Sequence, residues 1–283
     1  MGNSVVVTGA NSGIGLLTCL ELAGAGYDVV GTARSAEKAQ VLLDAAALRG
    51  LAVRAVVLRV DDADDCVRAA AEIADLTDGG PWGLVNNAGF AQAGAVEDVT
   101  DAMARAQLET NLLATVRLAR LFLPAMRARG DGRIVNVSSI AGRLATPLMG
   151  WYCASKHALE GVTDALRMEV EGDGVRVVLV EPGMFGTDIW SAAQQGGLPE
   201  PSTPRYAAAY ARAEALAGNS DKLPDPVRVA RTIRVALTNP VPLARYMVGA
   251  DAVSGLLAET VLPSAVTDWL KTVSTGLRGP RRG

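Results

Sequence analysis

The chain opens with Ser4-Val5-Val6-Val7, which runs straight into Thr8-Gly9-Ala10-Asn11-Ser12-Gly13-Ile14-Gly15. The first stretch is β-branched and continuous, the pattern of a strand buried on both faces. Residues 14–25 follow with helical apolar spacing and stop between Gly24 and Gly26. Strand, glycine turn and helix together make a place for a phosphate. Glycines let the backbone turn sharply and approach a ligand, and the helix start offers unpaired N–H groups and the positive end of a dipole. The spacing is Gly-x-x-x-Gly-x-Gly, which differs from the commoner Gly-x-Gly-x-x-Gly dinucleotide fingerprint.

The alternation then repeats. Strand-like runs lie at 4–8, 28–33, 52–60, 82–86, 132–138, 175–181 and 245–248, with helical patterns at 14–25, 36–49, 62–76, 100–129 and 151–171. Ser35 and Thr100 stand where helix caps are expected. Near-continuous apolar strands between helices predict an α/β fold with a parallel sheet covered on both faces, and right-handed crossovers make it doubly wound. No internal repeat and no linker interrupts it, so residues 1–283 are expected to form one domain. In such a sheet ligands bind outside the carboxyl ends of the strands. Gly9 follows the first strand, Arg34 the second, Asn87 the fourth, Ser138-Ser139 the fifth and Pro182-Gly183 the sixth, so one shared site is expected there.

Tyr152-Cys153-Ala154-Ser155-Lys156 carries the densest chemistry. Residues four apart on a helix share a face. A phenol titrates near pH 10 in water, and an adjacent ammonium lowers that value. A tyrosine brought to about pH 7, a change of roughly 4 kcal/mol, could give a proton to an alkoxide or take one from an alcohol. Cys153 points elsewhere on the helix and is not expected to be a nucleophile. His157 has no ligand partners in sequence, so no metal is expected.

Thr8 to Gly15, the Asn86-Asn87-Ala88-Gly89 tetrapeptide, Asn111, Ser138-Ser139 and Tyr152 to Lys156 resemble the motif set of the short-chain dehydrogenase/reductase family, in that family's order. Ser139 stands thirteen residues before Tyr152, as the family's catalytic serine does. Pro182-Gly183 and Thr187 resemble the segment that closes over the nicotinamide. The likeness runs from Ser4 to about Asp188. It implies a Rossmann-type sheet in the order 3-2-1-4-5-6-7 and hydride transfer between a nicotinamide cofactor and a carbonyl or alcohol. It implies that Ser139 donates a hydrogen bond to the substrate oxygen, Tyr152 moves the proton, and Lys156 tunes Tyr152 and bonds the cofactor ribose. Asn111 would hold a water linking Lys156 to solvent, and Asn87 would fix backbone near the adenosine ribose. The implied cofactor contacts are Gly9, Asn11, Ser12, Gly13, Ile14, Gly15, Arg34, Ser35, Val60, Asp61, Asn87, Ala88, Gly89, Tyr152, Lys156, Pro182, Gly183 and Thr187. Ser138 competes with Ser139. Adjacent strand residues face opposite sides, and the spacing favours Ser139. The resemblance also implies a homodimer or homotetramer joined through the 100–129 and 151–171 helices.

NAD-specific enzymes of this fold usually carry an acidic residue at the end of the second strand. Here Ala33 stands there, followed by Arg34 and Ser35. A guanidinium fork and a helix start suit a 2′-phosphate, so the expected cofactor is NADP(H). One position departs from the family. Arg59 occupies the place of an aspartate that contacts the adenine amino group; either Asp61 substitutes for it or Arg59 stacks on the ring. Residues 184–223, with Trp190, Leu198, Tyr206, Tyr210 and a helix at 207–217, read as a substrate lid. Trp151, Leu144, Met149 and Phe90 would extend its wall around a bulky apolar ketone of the steroid, retinoid or polyketide kind. A packed surface subdomain is the other reading of that segment.

The expected function is therefore an NADPH-dependent carbonyl reductase or alcohol dehydrogenase. A non-catalytic NADP-binding sensor or scaffold would lack the tyrosine or lysine, and a nucleotide-sugar epimerase would have a differently spaced glycine turn. A net charge of −3 leaves no footprint for nucleic acid. The basic residues of the 276–283 tail lie among glycines and a proline and read as a flexible end. No apolar run is long enough to span a membrane, and the first strand-like run begins at Ser4. Three cysteines in no metal spacing suit a reducing compartment, so the expected location is cytoplasmic.

Overall fold

The computed structural model describes residues 3–187, 198–217 and 223–278. Among them, β1 (Ser4–Val7), β2 (Asp28–Ala33), β3 (Arg54–Val57), β4 (Gly83–Asn86), β5 (Gly132–Val137), β6 (Val175–Pro182) and β7 (Arg245–Val248) form one sheet in the order 3-2-1-4-5-6-7. Every neighbouring pair is parallel. The helices are α1 (Gly13–Gly24), α2 (Ala36–Ala47), α3 (Ala63–Leu76), α4 (Asp101–Leu108), α5 (Ala114–Arg129), α6 (Gly150–Glu169), α7 (Pro204–Ala217), α8 (Val227–Thr238), α9 (Ala250–Val261) and α10 (Ser264–Ser274).

The strand pleat divides the apolar residues between two cores. Val5, Val7, Val29, Val85, Val178 and Val180 pack with Cys19 and Leu22 of α1, Leu42 of α2 and Ile233 of α8. Val6, Val30, Val56, Leu84, Ile134 and Val177 face the other way, onto Cys66 and Ile73 of α3 and Leu118 and Phe122 of α5. Each fully buried Val, Leu or Ile contributes about 1.5–3 kcal/mol, so both sheet faces are committed to cover. Ser35 and Thr100 cap α2 and α4 as expected, accepting hydrogen bonds from Lys38 N–H and Met103 N–H at 3.3 Å.

Two expectations change, and the end of the chain adds to the core. The third strand ends at Val57 instead of 60, because Asp65 takes the Arg59 N–H at 2.7 Å and turns the chain into α3. Residues 100–129 are not one α-helix: a π turn, Glu109–Leu113, separates α4 from α5. The helices beyond residue 223 carried no motif, yet α8 supplies Val229, Ala230, Ile233, Ala236 and Leu237 to the core and packs on α1.

Of the expected lid, residues 184–187, 198–217 and 223 are described; Trp190 lies outside the described residues, as do Arg281 and Arg282 of the tail. The lid helix begins at Pro204, earlier than the 207 expected. It is pinned to the 94–98 loop, for the Tyr210 hydroxyl donates to Asp98 Oδ2 at 2.6 Å and accepts from Ala95 N–H at 2.7 Å. No helix among the described residues is long and apolar enough to cross a membrane.

Candidate active site

The glycine turn is built by hydrogen bonds that span the first and fourth strands. Thr8 Oγ1 accepts from the N–H groups of Asn87 and Ala88, both at 2.9 Å, and Asn87 Nδ2 donates to Thr8 O at 2.9 Å and Gly9 O at 3.3 Å. Gly9 (φ +65°) and Gly13 (φ +50°) take left-handed backbone that other residues resist. Gly15 is needed for a different reason: a Cβ there would run into Gly9 O and come 2.5 Å from Asn87 Nδ2. Ser12 is the extended residue before α1 and makes no side-chain cap, which leaves the first N–H groups of that helix open to an anion. Thr187 lies over the turn, 3.5 Å from where a Gly13 Cβ would be. Thus Gly9, Asn11, Ser12, Gly13, Ile14, Gly15, Asn87 and Thr187 cluster at one sheet edge, and the turn could cradle a pyrophosphate.

Arg34 and Ser35 follow β2 at the same edge. Arg34 is exposed and makes no ion pair or hydrogen bond among the described residues. Val60 and Asp61 follow β3. Arg59 is largely exposed and lies 3.5 Å from Asp61 in a surface ion pair, so each of the two residues considered for adenine contact holds the other. Arg117 Nη1 donates to Val60 O at 3.3 Å. Gly89 lies beyond β4 against Asn111; a Cβ on it would come 3.0 Å from Asn111 Oδ1. Pro182 ends β6, and Gly183 donates to Val248 O at 2.8 Å. Asp251, on the first turn of α9, accepts from Met184 N–H at 2.6 Å and fills the space beside Gly183.

Tyr152 and Lys156 are both buried in the first two turns of α6. Ser139 stands near enough to Tyr152 to favour its phenolate, while its Oγ donates to Pro182 O at 3.5 Å and accepts from Ala141 N–H at 3.1 Å. Ser138 faces the opposite way, towards Gly142 and Glu160. The pleat therefore puts Ser139 at the tyrosine, as the spacing suggested. Asn111 sits in the π turn, a distortion often found at functional sites. Its Oδ1 accepts from Phe90 N–H at 3.1 Å, and its Nδ2 donates to Phe90 O at 3.0 Å and Ser155 Oγ at 3.1 Å. Ser155 in turn donates to Tyr152 O at 2.7 Å. Ser155, Thr8 and Asp251 thus join the site without having been picked out as site residues. Thr8 and Ser155 lie within motifs, whereas Asp251 has no local signal.

One electrostatic expectation is reversed. Burial pushes the Tyr152 phenol up to about 12, against the lowering influence of Ser139. Burial also pushes Lys156 down to about 8, against the charge of Glu160. The reason is geometric. Lys156 Nζ donates to Val137 O at 2.9 Å and lies 5.9 Å from the centre of the Tyr152 ring, so its ammonium is engaged by the backbone of β5. Desolvation then acts on both groups in favour of their neutral forms.

The short chain dehydrogenase family matches residues 3–197. An uncharacterized oxidoreductase of Escherichia coli, YbbO, is 33% identical over 269 residues, covering 95% of this chain and 93% of that protein. The NADPH-dependent 3-dehydrocapnine reductase of Ornithobacterium rhinotracheale is 33% identical over 271 residues, covering 93% and 94%. The crystal structure of a short-chain dehydrogenase from Streptomyces avermitilis superimposes with a TM-score of 0.79 at 32% identity, covering 96% of this chain and 97% of that one.

Proposed function

The chain belongs to the short-chain dehydrogenase family, and on that premise we propose that it is an NADPH-dependent carbonyl reductase or alcohol dehydrogenase acting on a bulky apolar ketone or secondary alcohol. The observation that carries this reading is the placing of Ser139 beside Tyr152, with Lys156 one turn away, on the sheet edge that holds the glycine turn. When bound, the nicotinamide supplies or accepts the hydride. The protein's own groups do the rest. Ser139 donates a hydrogen bond to the substrate oxygen and stabilises the charge that develops there. Tyr152 delivers the proton from its Oη to that oxygen. Lys156 Nζ, turned from Val137 O towards the site, would favour the phenolate left behind and bond the ribose hydroxyls. Asn111 fixes the start of α6 through Ser155 and the Phe90 backbone.

A cleft of ≈ 340 Å³ lined by Ala95, Val96, Glu97, Pro147, Leu148, Tyr206 and Leu277 is mostly apolar and supports an apolar substrate, with Tyr206 the lid residue in its wall. The name of the Ornithobacterium relative supports NADPH. The test is to mix the protein with NADPH or NADH and a panel of ketones and follow the absorbance of the reduced nicotinamide. No oxidation with any ketone would end the reductase reading.

Arg34, just after β2 and unpaired among the described residues, is the residue we assign the coenzyme preference to. We expect NADPH to be favoured over NADH by about tenfold or more, the range of a charge-assisted hydrogen bond. Arg34→Ala should erase most of that gap, and Ala33→Asp should tip it towards NADH. Equal use of both coenzymes by the wild type would refute the assignment.

The two serines make a second prediction. Ser139→Ala should cut kcat by about 10²-fold or more, as loss of an oxyanion donor does. Ser138→Ala removes a hydroxyl that faces away from Tyr152 and should be far milder. The reverse order, read from kcat of the purified variants, would exchange their roles.

A further inference from the structure

Two buried carboxyl groups play no part in the chemistry above. Glu181 is wholly buried near the end of β6, and Glu160 stands one turn after Lys156 on α6 with 6% exposure. Arg245, the first residue of β7, places its single Nε–H 3.1 Å from Oε2 of Glu160 and 3.1 Å from Oε1 of Glu181. That bridge sets the two carboxyls side by side. The remaining oxygen of each, Glu160 Oε1 and Glu181 Oε2, is buried with no partner among the described residues. Ser138 Oγ is orphaned in the same way. The absent side chain of Gly142 leaves room beside two of these atoms, because a Cβ there would come 2.8 Å from Ser138 Oγ and 3.1 Å from Glu160 Oε1.

Charged groups reach the pair from several elements. β7 contributes Arg245, which also pairs with Asp164 of α6. The loop after β5 contributes Arg143, 3.5 Å from Glu181 Oε1 and partly exposed. Arg167 of α6 is engaged by Asp164 at 2.5 Å, and Lys156 faces Glu160. The one guanidinium seated against both glutamates is therefore divided among three carboxylates. Two adjacent carboxylates with orphaned oxygens and little solvent hold a proton between them.

We infer that Glu160 and Glu181 form a carboxyl–carboxylate pair sharing one proton, and that the negative charge of this pair keeps Lys156 an ammonium. They are positioning residues that act through Lys156, and the inference rests on the proposed role of Lys156 beside Tyr152. Burial and the neighbouring Glu160 push Glu181 up to about 7, close below the value of about 8 to which burial brings Lys156. As pH rises through 7 the pair passes from one negative charge to two. The second charge favours the ammonium just where Lys156 would otherwise release its proton, so the pair extends the cationic range of Lys156 to higher pH.

The test is an NMR titration of the full-length protein carrying 13C-labelled glutamate carboxyls and lysine ε-carbons. In the wild type we expect one glutamate to titrate near pH 7 and the Lys156 signal to show an inflection at the same pH. In E181Q and E160Q the neutral-pH glutamate step should vanish, and Lys156 should titrate lower by about half a pH unit or more. The basic limb of kcat/KM for ketone reduction should move down with it while NADPH affinity holds, and E160D should restore the wild-type profile. A wild type in which every glutamate titrates in the ordinary carboxylate range, or a Lys156 signal blind to the glutamate step, overturns the inference without any variant having to fold. So do folded glutamine variants whose Lys156 titration overlays the wild type. A protein that reduces no ketone refutes the proposed function instead, and the NMR titration still decides the pair.

Discussion

Tyr152→Phe is expected to lower kcat for carbonyl reduction by about 10²–10⁴, the range for loss of a positioned general acid, while NADPH affinity stays within a few-fold of wild type. The ring is buried against Lys156, so phenylalanine keeps the packing and removes only the hydroxyl. Ser139 would still polarise the substrate oxygen, which is why some activity should survive. Burial holds the phenol up at about 12, so Tyr152 enters the reaction protonated at neutral pH. That suits the reductive direction, in which the phenol must give its proton away. For the oxidative direction the phenolate has to form, and with Lys156 pulled down to about 8 its ammonium is fully available only below that pH. Reduction should therefore hold up at lower pH and weaken as Lys156 loses its proton. Near-normal turnover by the variant, measured in single-turnover and steady-state assays, would remove Tyr152 from the mechanism.

That argument shows where sequence reading stops. The order of the motifs and the edge they occupy were legible because each is local: Thr8 to Gly15 needs only a strand before it and a helix after it, and Tyr152 and Lys156 need only one helix. The direction of the Tyr152 shift was not, because it depends on burial by elements far away in sequence and on Lys156 turning to Val137 O. The π turn around Asn111 was hidden for a similar reason. Nothing in residues 100–129 marks a change of helical period, and what favours it is the fit of Asn111 between Phe90 and Ser155. Glu181 read as the end of an apolar strand, and only the approach of Arg245 and Glu160 reveals it as part of a charged cluster. Asp251 supports Gly183 from a helix in the part of the chain that carried no motif.

Gly15→Ala is expected to weaken NADPH binding by about tenfold to a hundredfold and to lower the melting temperature, although alanine is the better helix former. Two effects oppose each other. Within α1 the change should favour the helix by about 1 kcal/mol. Against this, the new methyl would run into Gly9 O and approach Asn87 Nδ2 to 2.5 Å. Neither neighbour can yield freely. Gly9 is backbone in a left-handed turn, and Asn87 is tied to Thr8 O at 2.9 Å while its own N–H is held by Thr8 Oγ1. Overpacking of this kind costs about 1–3 kcal/mol and sometimes more, which exceeds the helix gain. The strain falls on the turn whose N–H groups would face the pyrophosphate, so affinity should suffer more than stability. Gly24→Ala is the control, because nothing lies within 4 Å of a Cβ there and its backbone is not left-handed. It should leave binding unchanged and raise stability by up to about 1 kcal/mol. Titration calorimetry with NADPH and thermal unfolding of both variants decide the matter. A Gly15→Ala protein with wild-type affinity and melting temperature would mean that the turn is not the cofactor cradle.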